Sequence, residues 1–92
     1  MNSGSRVEDS DTAQARVFLG RLREEIETVS RNIENAQALV ERARRAGRFG
    51  LRDRLRAEAT GLRGELYEVH RLVDALVFRF PEVLARETSA LD

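Results

Sequence analysis

The chain of 92 residues contains no cysteine, no tryptophan and no lysine, and it has one proline and one histidine. Without cysteine there is neither a disulfide framework nor a thiolate metal site. Without lysine there is no Schiff-base chemistry and no lysine to hold a phosphate loop. The longest unbroken apolar run, Ala75–Phe78, is far too short to cross a bilayer, and no signal-peptide core is evident, so the reading is cytoplasmic. The single histidine, His70, has Tyr67 three residues before it and Asp74 four after, which matches no helical zinc or di-iron spacing. The expectation is no catalytic residue, no metal and no cofactor.

What is present is periodicity. Ala15, Leu19, Leu22, Ile26, Val29, Ile33, Ala36, Val40 and Ala43 step by four and three, the spacing of one helical seam. Asp11 and Gln14 before them have capping-box spacing. The stretch 1–10 is polar and aperiodic and reads as a disordered tail. Ala46-Gly47-Arg48-Phe49-Gly50 breaks the seam, with Gly47 placed to end a helix in the left-handed conformation. A second seam follows through Leu55, Ala59, Leu62, Leu66, Val69, Val73, Leu76, Phe80 and Val83. Pro81 near its end either kinks the helix or opens a short last one.

These signals predict an all-α chain: helix 11–46, turn 47–50, helix 51–80, a short helix 81–87 and a frayed end at 88–92. The two long helices form an antiparallel coiled-coil hairpin over the domain 11–87. Pairing positions whose numbers sum to 95 gives every seam residue an apolar partner. Val40 meets Leu55, Ala36 meets Ala59, Leu19 meets Leu76 and Ala15 meets Phe80.

The hairpin is thin near its turn and broad far from it. Phe18, Leu72, Val77 and Leu84 flank the seam there and Phe78 points outward, a stripe too wide for two helices to cover, so Phe18, Leu22, Leu72, Val73, Leu76, Val77, Phe78 and Phe80 are the candidate interface. Either the segment Val83–Leu91 folds back over it, or a second copy pairs with it into a four-helix bundle; the homodimer is the favoured expectation, and a helical protein partner would serve the same surface. On the outer face of the second helix Ala57, Gly61 and Gly64 form a stripe of small residues. Each mid-helix glycine costs about 1 kcal/mol, so close approach of another helix is weighed evenly against tolerance on an open face.

Sixteen arginines balance sixteen acids, but not evenly along the chain. Residues 42–56 hold seven arginines against Asp53 alone, a net of +6, which leaves −6 for the remainder. Arg44 and Arg45 suit the negative end of the first helix. Arg52, Arg54 and Arg56 lie where the dipole disfavours cations, and Phe49 sits between Arg48 and Arg52 as an exposed aromatic. Arg44, Arg45, Arg48, Phe49, Arg52 and Arg56 are therefore the candidate anion- or nucleic-acid-binding set.

Leu22-Arg23-Glu24-Glu25-Ile26-Glu27 resembles the opening of the first helix in helical chorismate mutases. Leu39 and Val40 stand where that family's arginine belongs, and its later lysine has no counterpart, so the activity is not carried over. The hairpin plan is similar to that of transcript-cleavage factors, whose acidic tip is here replaced by arginines. In length and hairpin plan the chain is also similar to the small secreted WXG-type proteins of specialised bacterial secretion, although Arg48-Phe49-Gly50 replaces their Trp-x-Gly turn and their tyrosine-plus-acid signal is missing, because Arg71 lies four residues after Tyr67. That similarity implies a secreted or secretion-chaperone hairpin.

The sequence therefore points first to a non-enzymatic, bacterial helical-hairpin interaction or oligomerisation module with a basic tip. A protein gripping nucleic-acid phosphates with that tip is the main alternative, and the secretion-type hairpin is the third.

Overall fold

The structure is a computed structural model that describes residues 2–84, with side chains from Ser10 onward. Two long helices make up nearly all of it: α1, Asn2–Arg45, and α2, Phe49–Arg79, with a short third helical stretch at 82–84. There is no strand among the described residues. The helices belong to two compact units, Glu25–His70 and the pair of segments Met1–Glu24 with Arg71–Asp92.

Burial follows the four-three spacing. Ala15, Leu19, Leu22, Val29, Ile33, Ala36 and Ala43 of α1 are buried, and Ile26 and Val40 are half-buried. In α2 Ala59 and Val69 are buried, while Leu55, Leu62, Leu66, Val73, Leu76 and Phe80 are half-buried. Side chains three and four apart lie on one face of a helix, so a seam of this spacing buries itself against a single neighbour.

Within the unit Glu25–His70, the last part of α1 packs on the first part of α2 through a thin seam rich in alanine. The turn between them is a Schellman closure. Gly47 has φ +73°. Its N–H donates to the Arg44 carbonyl at 3.1 Å, and the Arg48 N–H donates to the Ala43 carbonyl at 2.9 Å. Two carbonyls that α1 would otherwise leave open are thereby satisfied. The Arg48 carbonyl accepts from the Arg52 N–H at 2.9 Å and starts α2. The turn is thus tighter than the expected 47–50, because Phe49 and Gly50 already belong to the helix.

In the other unit Ala15, Leu19 and Val83 form a core against which Val73, Leu76 and Phe80 pack. Pro81 brings Val83 into it. Lacking an N–H, proline cannot extend α2, which ends at Arg79. Val83 N–H then bonds to the Phe80 carbonyl and Leu84 N–H to the Pro81 carbonyl, and helix resumes at 82–84. Val83 ends 0 % exposed and Leu19 1 %. Burial of that completeness contributes about 1.5–3 kcal/mol per side chain. Val83, the last position of the expected second seam, thus packs into this core; residues 85–92, with nearly all of the expected fold-back Val83–Leu91, the rest of the expected 81–87 helix and the end at 88–92, lie outside the described residues.

The start of α1 differs from the expected one. The helix runs from Asn2, so Asp11 lies inside it rather than at its cap, and the expected disordered tail over 1–10 is helical from Asn2 onward. Adding a turn to an existing helix gains a hydrogen bond for each residue ordered, and no proline stands before Pro81 to stop the propagation.

Candidate functional site

Two surfaces carry the residues singled out from the sequence: the arginine-rich turn in the unit Glu25–His70, and the apolar face of the other unit.

At the turn the arginines divide into those held locally and those left open. Glu41 lies one turn before the end of α1. It accepts from Arg44 Nη2 at 2.6 Å and Nε at 3.1 Å, and from Arg45 Nε at 3.2 Å. Three and four residues is the spacing at which helical side chains meet. Hydrogen bonds from Arg44 in the first place, then its charge and the contacts of Arg45, pull the Glu41 carboxyl down to about 2. The same contact raises the Arg44 guanidinium above its ordinary value. Arg44 and Arg45 thus complement both Glu41 and the helix dipole, and they are engaged before any ligand arrives.

Arg52 is engaged as well. Its guanidinium carbon lies 4.9 Å from the centroid of the Phe49 ring, and Nη2 pairs with Asp53 at 2.9 Å. Phe49 is 54 % exposed even so. Of the six residues expected to hold an anion, Arg48 and Arg56 remain without an ion-pair partner among the described residues, as do Arg42, Arg54 and Arg63 of the same unit. No acid stands in the first turn of α2, so Arg48 at its positive end is left uncompensated, while Arg52 is paired with Asp53 just beyond that turn.

One concavity in this unit was not visible in the sequence. Gln37 and Val40 of α1 and Arg56, Ala59, Thr60 and Arg63 of α2 line a groove of about 280 Å³. The signal that could have found it is the pairing of Ala36 with Ala59, which leaves little side-chain volume beneath the stripe Arg56–Thr60–Arg63.

In the other unit, the eight residues assigned to an interface separate. Leu22 is buried, and Val73, Leu76, Val77 and Phe80 are half-buried, with Val73, Leu76 and Phe80 packed on the core of Ala15, Leu19 and Val83. Leu22, Val73, Leu76 and Phe80 are thus held within the chain's own fold. Phe18, Leu72 and Phe78 stay exposed, Phe78 by 90 %. Val17 joins them as an exposed apolar residue that the spacing did not single out. A groove of about 420 Å³ runs beside Phe18, bordered by Asp11, Gln14, Ala15, Arg79 and Phe80. The Arg79 guanidinium lies over the Phe80 ring at 5.5 Å. Nε and Nη2 of Arg16 are buried without a hydrogen-bond partner among the described residues.

Ala57, Gly61 and Gly64 are exposed, and a Cβ added at either glycine would meet nothing within 4 Å. Among the described residues no helix approaches that stripe. His70 is exposed, and among the described residues no three histidine, aspartate or glutamate side chains are grouped to hold a metal ion. No described helix is long and apolar enough to cross a membrane.

Compared with known protein families, with curated proteins and with solved structures, the chain matches none. Function is therefore argued from these two surfaces.

Proposed function

We propose that the chain is a non-enzymatic helical hairpin that acts as an interaction or oligomerisation module, pairing with a second copy into a four-helix bundle and offering its arginine-rich turn to an acidic ligand. The observation that carries this reading is Phe78, whose ring is 90 % exposed. Phe18 and Leu72 are exposed in the same unit. A lone exposed leucine needs no explanation, but an aromatic ring left in water on a unit with further exposed apolar side chains is the kind of residue that association surfaces use. A helical partner of another sequence would meet the same chemical requirement as a second copy.

Mass in solution tests the proposal. Light scattering across micromolar concentrations should give twice the chain mass, with a thermal midpoint that rises with concentration. A chain that stays monomeric throughout, with a concentration-independent midpoint, would remove self-association from the reading.

A second reading is nucleic-acid binding at the turn. Arg48, Arg54 and Arg56, unpaired among the described residues, and the exposed ring of Phe49 favour it. Arginines that neutralise phosphates release counterions, so such binding weakens steeply with salt. The same scattering measurement with a short DNA duplex added distinguishes the two readings. A mass increase that is lost with salt and with Arg48→Glu or Arg56→Glu supports the second; an unchanged mass rejects it.

A further inference from the structure

The groove between Arg56 and Arg63 lies wholly within the unit Glu25–His70. Its floor is apolar: Ala59 is buried and Val40 half-buried. Above the floor, Arg56, Thr60 and Arg63 follow at i, i+4 and i+7 and so share one stripe of α2. At 1.5 Å rise per residue the two arginine Cα atoms are about 10 Å apart along the axis. An arginine side chain spans more than half of that gap, so both guanidinia can converge on one group held over the Thr60 hydroxyl. Gln37 supplies an amide from α1. Neither Arg56 nor Arg63 has an ion-pair or hydrogen-bond partner among the described residues. Glu41, a nearby carboxylate on α1, is held by Arg44 and Arg45.

We propose that this groove seats a small phosphate monoester. Two guanidinium forks match the charge of a phosphate dianion, and with the hydroxyl and the amide they surround a tetrahedral group with donors. A carboxylate carries one charge and two oxygens in one plane, so it answers two forks, a hydroxyl and an amide less fully than a phosphate does. The apolar floor takes the organic part of the ester. The volume of about 280 Å³ lies at the small end of ligand sites, which favours a compact phosphorylated molecule over a length of polymer. The proposal rests on the reading of the arginine-rich end as a surface for acidic ligands, and it moves the seat from the turn itself to the groove beside it.

The test is a titration of the ¹⁵N-labelled full chain with phenyl phosphate, inorganic phosphate and benzoate, at ionic strength held constant with sodium chloride. Phenyl phosphate should bind saturably, shifting the amides of Gln37 and Thr60 and the side-chain Nε signals of Arg56 and Arg63, and should bind more tightly than inorganic phosphate. Arg56→Gln and Arg63→Gln should each weaken it by about tenfold or more, the effect of losing a charge-assisted pair. Thr60→Val, which keeps the shape of an exposed residue, should weaken it without altering helicity by circular dichroism. Arg44→Gln with Arg45→Gln should leave it unchanged. The proposal is overturned if no saturable shift occurs, if benzoate binds as tightly, or if the Arg44 and Arg45 changes weaken binding as much as those at Arg56 and Arg63. Shifts confined to Arg48, Phe49 and Arg54 on adding a DNA duplex, with none from phenyl phosphate, overturn the groove and leave the nucleic-acid reading standing. Self-association is read separately, by mass.

Discussion

The Arg48 N–H reaches back to the Ala43 carbonyl at 2.9 Å, and this bond closes α1 because Gly47 between them has φ +73°. An L side chain at 47 would be strained in that conformation, whereas Gly61 and Gly64 stand in ordinary helix with nothing within 4 Å of an added Cβ. The same substitution should therefore have opposite signs. Gly47→Ala is expected to destabilise by about 1 kcal/mol. Gly61→Ala and Gly64→Ala should each stabilise by up to about 1 kcal/mol through helix propensity alone. Urea denaturation of the three variants checks this, and a stabilising Gly47→Ala would contradict the turn geometry.

Leu19 and Val83 are the two most completely buried large side chains described. Leu19→Ala should cost about 2–5 kcal/mol, through lost transfer energy and the cavity left behind. Val83→Ala should cost about 1.5–3 kcal/mol if the chain after Pro81 returns to the core as described. Thermal unfolding at fixed protein concentration measures both. A Val83→Ala variant as stable as the parent would mean that the return after Pro81 adds nothing to the fold.

Phe78 separates folding from association. Its side chain is almost wholly exposed, so Phe78→Ser should leave the dilute chain's helicity intact. If the proposed pairing uses this ring, the same change should lower the scattering mass at a given concentration, and Phe18→Ser should act in the same direction. Unchanged mass in both variants would place any association elsewhere on the chain.

Glu41 provides a pH prediction whose sign follows from its depressed pKa of about 2, caused first by the Arg44 hydrogen bond. A carboxyl whose folded pKa lies below its unfolded one contributes stability above the unfolded value, and that contribution is lost as pH falls through the folded value. The window here runs from the ordinary glutamate value of 4.5 down to about 2. The pair is solvent-exposed, so salt should shrink the effect. Following the Glu41 carboxyl carbon by NMR should give a midpoint well below the ordinary glutamate value of 4.5, and Arg44→Gln should raise it. An ordinary midpoint in the parent chain would show that the Arg44 contact does not persist in solution.

Much of the architecture was legible because it depends on spacing. The positions from Ala15 to Ala43 and from Leu55 to Val83 are all buried or half-buried, since a four-three rhythm leaves an α-helix only one face to hide. Gly47 was legible as the helix end because the left-handed conformation there favours a residue without a Cβ. The functional surfaces were less legible. Charge counting treated Arg44, Arg45, Arg48, Arg52 and Arg56 alike, yet Glu41 holds the first two, while Phe49 and Asp53 hold Arg52. Phe78 and Phe80 stand two residues apart with the same side chain, and one lies in water while the other packs on the core.

Two long helices, the residues that face inward and the glycine that ends the first helix follow from the order of amino acids alone, because periodicity and backbone permission are local properties. The tertiary contacts bring Gln37 and Val40 of α1 beside Arg56, Ala59, Thr60 and Arg63 of α2, so that a groove opens there, and they pack Val83 with Ala15 and Leu19. The groove and this core depend on side chains from distant parts of the chain coming within a few ångströms, whereas which arginines remain open follows from contacts within four residues along the helices, Glu41 with Arg44 and Arg45, and Phe49 and Asp53 with Arg52.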